Sequence, residues 1–577
     1  MKLLKKLFSN QNFWPIVIIV FAAILAGRTL LTPGYFKMHD DLQMMRQLEM
    51  EKCFLDLQIP CRWVPDMGYG FGFPLFNYYP PLPYLVGELF RLVSFSFVDT
   101  VKIVFLLSFI FSGISMYFFS KEFFGKVGGV LSSVFYIWAP YHAVDVYVRG
   151  AMNEAWAFIW FPVILLFSYK LLTAGSKPGR AKTDLVILLA LSWAGLFLSH
   201  NLMVLIFTPI FLFWCLIWIY RSKKLVSSTK YLVSSGLLAL GLTAFFTLPA
   251  ILEQKYVQVE TLVNGYYEYI AHFATFNQLF ISRFWGYGPS IWMENDGMPF
   301  QIGHIHWILS LAVLVFVIYK FFKNKKKTSV IYFVILFFVL IGWFAAFMAH
   351  SRSTFIWQLI PTLKFIQFPW RFLTLVTFSF SFIVGSLVLF IPKKFVYWVV
   401  GILSIGLIIF NWNYFLPDGG KMGPLTDKEK FAGAAWDLQR TAGIFDYLPK
   451  TAKENPKGPQ EGLAEIMGGK AEINNSIQKT NWAEFQITVS KVALVRVNIF
   501  EYPNWKAFID GKETEISIPE TEKWGRMYLT VPEGTHVVYL KLYNTPLRTI
   551  SNLISLVTWI GLISFHLRKK KLHEKVS

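Results

Sequence analysis

His39, Asp40 and Asp41 stand side by side in "YFKMHDDLQMMRQLEMEK", residues 35 to 52, just after the apolar run "FWPIVIIVFAAILAGRTLL". Two adjacent carboxylates beside an imidazole can do three different things. Asp40 and Gln43 fit a helix-capping box, in which the carboxylate stands three residues before an amide. The two aspartates can also hold a divalent cation, Mg or Mn, through oxygen ligands. Alternatively, one of them is a general base, its pKa lifted by its neighbour's charge and by partial burial. A cap needs only one carboxylate and leaves Asp41 and His39 without a task, so all three readings stay open.

A second group lies in "YVRGAMNEAWAF", residues 147 to 158. It puts Arg149, Asn153 and Glu154 at the outside ends of two apolar runs, with His142 and Asp145 close by. A carboxylate at the mouth of a span is a functional candidate by default; simple pairing with Arg149 is the plain alternative. His200 and Asn201 occupy a tight turn, "LSHNLM". In "FIQFPWRF", Arg371 opens another span behind a Pro-Trp pair. It is either a snorkelling anchor or a planar fork suited to phosphate, and Arg283 and Arg352 are weaker candidates of the same kind. His304 and His306 are two apart and share no helix face. No Cys/His group has zinc spacing, and neither a P-loop nor a dinucleotide glycine pattern is present, which disfavours nucleotide-driven chemistry.

The elements that must position these residues are membrane spans. Of the 577 residues, 55% are hydrophobic and only 16% charged, against about 25% charged in soluble domains. Apolar windows near the length of a membrane crossing fall at 13–31, 100–119, 127–141, 155–172, 184–199, 202–220, 231–250, 304–322, 328–348, 371–391, 395–415 and 547–567. The net charge of +20 comes from Lys and Arg clustered between these runs: "MKLLKK", "SKEFFGK", "KLLTAGSKPGRAK", "RSKKLVSSTK", "KFFKNKKK", "PKK" and "LRKKKLHEK". That is the positive-inside pattern of cytoplasmic loops, not a nucleic-acid face. Twelve spans with both termini cytoplasmic put every cluster on one side, and the first run is too long for a cleaved signal.

The other side carries a long first loop, 32–99, and segments at 252–303 and 350–372. Loops of such length are uncommon unless functional. Within the first loop a disulfide between Cys53 and Cys61 is chemically feasible, although spacing alone does not establish it; Cys215 lies within a span. Residues 420–480 are polar and Gly-rich. Beyond them "AEFQITVSK", "ALVRVNIF", "KAFIDGKETEISI", "RMYLTVPEG" and "HVVYLKLYN" alternate with period two, and "IDGKE" signals a tight hairpin. The fold class expected is a polytopic α-helical membrane protein of about twelve spans with a C-terminal extracytoplasmic antiparallel β domain, sandwich-like. Its divisions are a membrane module over 1–419, the β domain over 420–546, and a last span with a basic tail over 547–577.

Together these features resemble the GT-C glycosyltransferase superfamily. "HDD", "IPCRWVPDMGYGFGFPLFNYYPPLPYLVG", "YVRGAMNEAWAF", "SHN" and "IQFPWRF" are similar to bacterial membrane proteins named 6-pyruvoyl-tetrahydropterin-synthase-related. "IFEYPNWKAFIDGKE" and "VPEGTHVVYLKLYNTPLR" resemble the end of YfhO-like proteins. The pterin name implies no chemistry here, since nothing resembles that enzyme's zinc site. The resemblance implies transfer of a sugar from a polyprenyl-phosphate donor to an extracytoplasmic glycan, lipid or protein. Asp40 and Asp41 would then supply the base or hold a cation, with Glu154 as a third catalytic candidate. His39, Arg149, Asn153, His200, Arg283 and Arg371 are the substrate-binding candidates.

Two rivals remain. A flippase of lipid-linked saccharides would use the same polar pocket without needing the Asp40 carboxylate. A polysaccharide polymerase or acyltransferase would depend on an intramembrane histidine such as His200.

Overall fold

The computed structural model describes residues 11–174, 180–223, 225–293, 296–323, 330–420, 425–442 and 447–574. The basic clusters at 1–6 and 325–327, and Lys177, Lys224 and Lys575, lie outside the described residues. Among those described, nine helices are long and apolar enough to cross a membrane: Phe97–Ile137, Met152–Thr173, Asn201–Ser222, Leu225–Leu252, His304–Lys323, Val330–Met348, Pro369–Leu389, Val396–Tyr414 and Pro546–Arg568. The chain is a mostly helical, multi-pass membrane protein with a C-terminal antiparallel sheet.

Nine rather than twelve has local causes. The runs at 100–119 and 127–141 are two helices meeting at a kink inside the continuous stretch Phe97–Ile137, so they count once; at the kink Gly125 has a φ of 70°, a conformation glycine takes without steric cost. The first run is α-helical only over Phe13–Ala26, then tightens into a 3-10 turn at Arg28–Leu31. The run at 184–199 lies in Arg180–Phe197, which carries Lys182 and Asp184 near its start.

One compact unit comprises Met1–Gln43, Val98–Leu237 and Val263–Leu425. Its most deeply buried spans are Pro369–Leu389 and Met152–Thr173. Both are apolar on every side, which suits the middle of a bundle; all twelve residues of Leu373–Val384 are buried. Phe382 stacks on Phe119 at 4.7 Å and Phe161 on Phe207 at 4.3 Å. Polar groups at the outer ends of these two helices are therefore carried on rigid supports. The segment between Val263 and Gly303 is pinned down by its backbone and by Trp and Tyr side chains. Ala274 N–H donates to Ala349 O at 2.9 Å, Trp285 Nε1 to Leu416 O at 3.1 Å and Tyr287 N–H to Asp418 Oδ2 at 3.1 Å.

The second unit comprises Met44–Phe97, Leu238–Leu262 and Thr426–Ser577. Its sheet has strands β1 (Ala464–Gln478), β2 (Trp482–Phe500), β3 (Trp505–Ile509), β4 (Lys512–Thr514), β5 (Arg526–Val531) and β6 (Gly534–Leu542). The order is β1-β2-β6-β3-β4, with β5 also on β2. This is one hydrogen-bonded sheet branching at β2. The segments "AEFQITVSK" and "ALVRVNIF" are a single strand, whose first half pairs with β6 and second half with β5. The expected hairpin is present: Asp510 and Gly511 have φ of 49° and 78°, the pair of positive values a two-residue type I′ turn requires.

Cys53 and Cys61 are disulfide-bonded, their Cα atoms 5.4 Å apart. A buried polar network ties this unit together. Glu253 accepts from Asn77 Nδ2 at 3.0 Å, Thr545 Oγ1 at 2.7 Å and Arg548 Nε at 2.8 Å. Arg62 donates to Asn77 Oδ1 at 2.9 Å, Phe245 O at 2.8 Å and Asn552 Oδ1 at 2.7 Å. Buried charges this well partnered stiffen what they join, because each is costly to strand.

Candidate functional site

A backbone strap brings the acidic pair to the second polar group. His39 N–H donates to Val148 O at 3.0 Å and Asp40 N–H to Arg149 O at 2.9 Å. The strap fits because residue 150 is glycine. Its φ is 64°, and a Cβ there would stand 2.2 Å from Met38 Sδ. Gln43 Nε2 closes the loop, donating to Gly150 O at 2.7 Å and Asp40 Oδ2 at 3.0 Å. The Gln43–Asp40 contact of a capping box is thus present in altered form, since the Asp40 N–H is committed to Arg149. Asp40 and Asp41 are half-buried and His39 is exposed. The His39 ring packs on Tyr287 at 4.6 Å, whose hydroxyl donates to Met38 O at 3.3 Å.

Behind the strap lies a buried charge cluster centred on Glu154. Arg149 Nη1 is 2.8 Å from Glu154 Oε2 and also contacts Asp145. Arg371 Nε lies 3.4 Å from the same Glu154 oxygen. Tyr141 and Thr374 hydroxyls donate to Oε1 at 2.8 and 3.1 Å. Oε1 accepts two hydroxyl hydrogen bonds and Oε2 faces the guanidiniums, the arrangement of a holder of guanidiniums. Burial, and then the charge of Glu154, push the Asp145 carboxyl up, against the pull of Arg149. The cluster thus sets two guanidiniums, Arg149 and Arg371, around the Glu154 carboxylate, with Asp145 paired to Arg149.

Arg371 Nη1 donates to Ile366 O at 2.8 Å and Gln367 Oε1 at 2.9 Å, and its guanidinium lies over Phe368. The Arg149 guanidinium lies 4.5 Å over Trp370. The side chains of Arg149 and Arg371 keep 8% and 11% of their surface exposed. Each guanidinium has five N–H donors, so capacity for an anion remains at the exposed edge.

His200 caps the helix Asn201–Ser222: its Nδ1 accepts from the N–H of Leu202 at 3.1 Å and of Met203 at 3.4 Å. Nε2 then carries the proton of the neutral ring, 3.9 Å from Glu154 Oε2. Burial, with Arg371 and Arg149 adding to it and Glu154 opposing, pulls the His200 pKa down to about 3. Asn153 Nδ2 donates to Ser199 O at 2.8 Å, tying the start of one span to the turn before the next.

The structure thus joins Arg149, Glu154, His200 and Arg371 in one cluster and straps His39 and Asp40 to its edge. Arg283 is engaged elsewhere, donating to Phe410 O at 2.8 Å and Tyr414 Oη at 3.2 Å. His142 is a core histidine, stacked on Phe158 at 4.4 Å. Tyr141 and Thr374 escape the sequence reading. Tyr141 stands one helical turn before Asp145 and Thr374 one turn after Arg371, so helical spacing from the two charged residues is the signal that finds them. Among the described residues, no group of three or more His, Cys, Asp or Glu is placed to hold a metal ion.

No protein-family model matches the chain. A protein of Lactococcus lactis subsp. cremoris (strain MG1363), described as uncharacterized, is 24% identical over 336 residues, which are 56% of this chain and 52% of that protein. The chain therefore spans about half the length of that relative. Among solved structures, the Archaeoglobus fulgidus oligosaccharyltransferase tethered with an NVT acceptor peptide is 11% identical, with a TM-score of 0.44 over 71% of this chain and 56% of that one. ArnT from Cupriavidus metallidurans bound to undecaprenyl phosphate is 10% identical, with a TM-score of 0.36 over 69% of this chain and 64% of that one. Likenesses at this level say nothing about substrate or reaction.

Proposed function

We propose that the chain is a GT-C-type membrane glycosyltransferase that moves a sugar from a polyprenyl-phosphate donor to an extracytoplasmic acceptor. One observation carries the reading: half-buried carboxylates are fixed by backbone hydrogen bonds beside a buried cluster with two guanidiniums. That is a base next to an anion site, the pair of functions a single displacement needs. Asp40 takes the proton of the acceptor hydroxyl, whose oxygen attacks the anomeric carbon. The bond from that carbon to the donor phosphate breaks, and the phosphate leaves with the electron pair against Arg371 and Arg149. One displacement inverts the anomeric centre. Glu154 holds the two arginines and is a positioning residue in this scheme, while Asp41 adds a second negative charge beside Asp40.

In this reading residues 1–419 form the catalytic membrane module, and the domain at 420–546 lies outside the cell and guides the acceptor. The span and basic tail at 547–577 return the chain to the cytoplasm. The test is transfer of label from a panel of polyprenyl-phosphate sugars by the purified protein in vesicles. Transfer that needs the Asp40 carboxylate is expected. Saccharide translocation without transfer, unaffected by Asp40→Asn, overturns the reading in favour of a flippase.

A further inference from the structure

The disulfide loop between Cys53 and Cys61, eight positions apart, presents an apolar tip. Leu55, Leu57 and Ile59 are 75%, 81% and 66% exposed. The tip is built rather than frayed. Leu57 N–H donates to Phe54 O and Gln58 N–H to Cys53 O, and Gln58 Oε1 accepts from the N–H of both Arg62 and Trp63 at 2.9 Å. Leu57 has a φ of 58°, a conformation that bulky residues rarely adopt. An ordered loop that holds a leucine in this conformation, facing outward, serves a contact.

The surroundings of the loop say with what. Arg62, next to Cys61, hydrogen-bonds to Asn552 and to the carbonyl of Phe245, and both partners belong to candidate membrane spans. On the other side, Asp56 accepts from Thr480 N–H at 2.8 Å and pairs with Lys479 at 3.0 Å. Lys479 and Thr480 form the turn beside Asn481, whose carbonyl accepts from Leu542 N–H, four residues before the last helix begins at Pro546. Both anchors of the loop thus sit where the chain enters the membrane. The exposed apolar residues Leu55, Leu57 and Ile59 alternate with and flank these anchors in the sequence.

We propose that residues 55–59 form a finger that inserts into the headgroup and acyl boundary of the bilayer, with lipid as its partner. The finger pins the first outside loop at a fixed depth, much as amphipathic segments lie in the interface. This is independent of the reaction proposed above and stands or falls without it.

The test is photo-crosslinking of the full-length protein in phosphatidylglycerol–phosphatidylethanolamine nanodiscs, with p-benzoylphenylalanine replacing Leu57. The same residue in place of Ile560, on the last span, is the positive control, and in place of Lys512, on the β3–β4 hairpin, the negative one. Lipid adducts at position 57 within a fewfold of the Ile560 yield, with none above background at Lys512, are expected. Adducts only to protein, or none at 57 while Ile560 reacts, overturn the proposal. Peptide mapping of the intact Cys53–Cys61 bond verifies the fold, and replacing Leu55 gives an independent second reading of the same outcome.

Discussion

The amide of Asp40 donates to the carbonyl of Arg149 across 2.9 Å, so the acidic pair and the buried charge cluster are held together by main chain. Side-chain substitutions at Asp40 therefore leave the strap in place, and the chemistry can be tested separately from the fold.

Asp40→Asn is expected to keep the contact from Gln43, because an amide oxygen accepts as a carboxylate oxygen does. It has no proton affinity near neutral pH, and losing a general base typically costs about 100- to 10,000-fold in rate. Turnover should fall by that much, with melting temperature and donor binding close to wild type. Wild-type turnover would make Asp40 a structural residue.

Arg371→Lys keeps the charge and loses the planar fork. A lost charged hydrogen bond costs on the order of 1.5–3 kcal/mol, so donor affinity should drop accordingly. Because Arg371 also holds Ile366 O and Gln367, Gln367→Ala is the comparison to make. If that variant weakens donor binding equally, Arg371 anchors its own loop and does not serve the phosphate.

Glu154→Gln keeps an acceptor for Tyr141 and Thr374 but removes the charge facing Arg149 and Arg371. Breaking a buried ion pair from one side costs about 3–5 kcal/mol. A clear fall in melting temperature is expected, partly recovered in the double variant with Arg149→Met. A Glu154→Gln protein of unchanged stability with lost turnover would assign Glu154 to the reaction itself.

The pH dependence of stability should include His200. Its pKa is about 3 when folded and about 6.5 in an unfolded chain. Between those values the unfolded state binds more protons, so stability rises with pH. The contribution is complete above about pH 6.5 and is lost as pH falls toward 3. His200→Asn preserves the cap and should flatten melting temperature between pH 7 and 5 relative to wild type.

The proposed orientation places the β3–β4 hairpin outside the cell. Lys512→Cys should react with a membrane-impermeant maleimide in intact cells, against a low background from the buried Cys215 and the bonded Cys53 and Cys61. Reaction only after permeabilisation would put Asp40 on the cytoplasmic side.

Residue types at the site were legible in the sequence, whereas their adjacency was not. Gln43 and Gly150 are 107 positions apart, and a strap made of backbone hydrogen bonds leaves no residue-type signature. Glu154 reads as an acid from its type, and only the five groups around it reveal a holder of arginines. In the fold, β1 escapes because its pairing with β2 slips at Gly468 and Lys470; such bulges break the period-two alternation and make 464–478 read as polar loop. The Asp510–Gly511 hairpin was readable because its turn chemistry is local. Spans were visible as apolar runs, and the break between two of them falls at Gly125, where the helix kinks.

Arg62 finds Asn552 at 490 positions' remove, and Glu253 finds Arg548 at 295. Ribosomes add about 5–20 residues per second, so roughly 25–100 seconds pass between synthesis of Arg62 and arrival of its last partner. Throughout that interval the Arg62 guanidinium waits without its full complement of partners, and the Glu253 carboxylate joins it for the last 295 positions. Insertion of the helix that begins at Pro546 ends the wait, making it the event that completes the anchoring of the first loop.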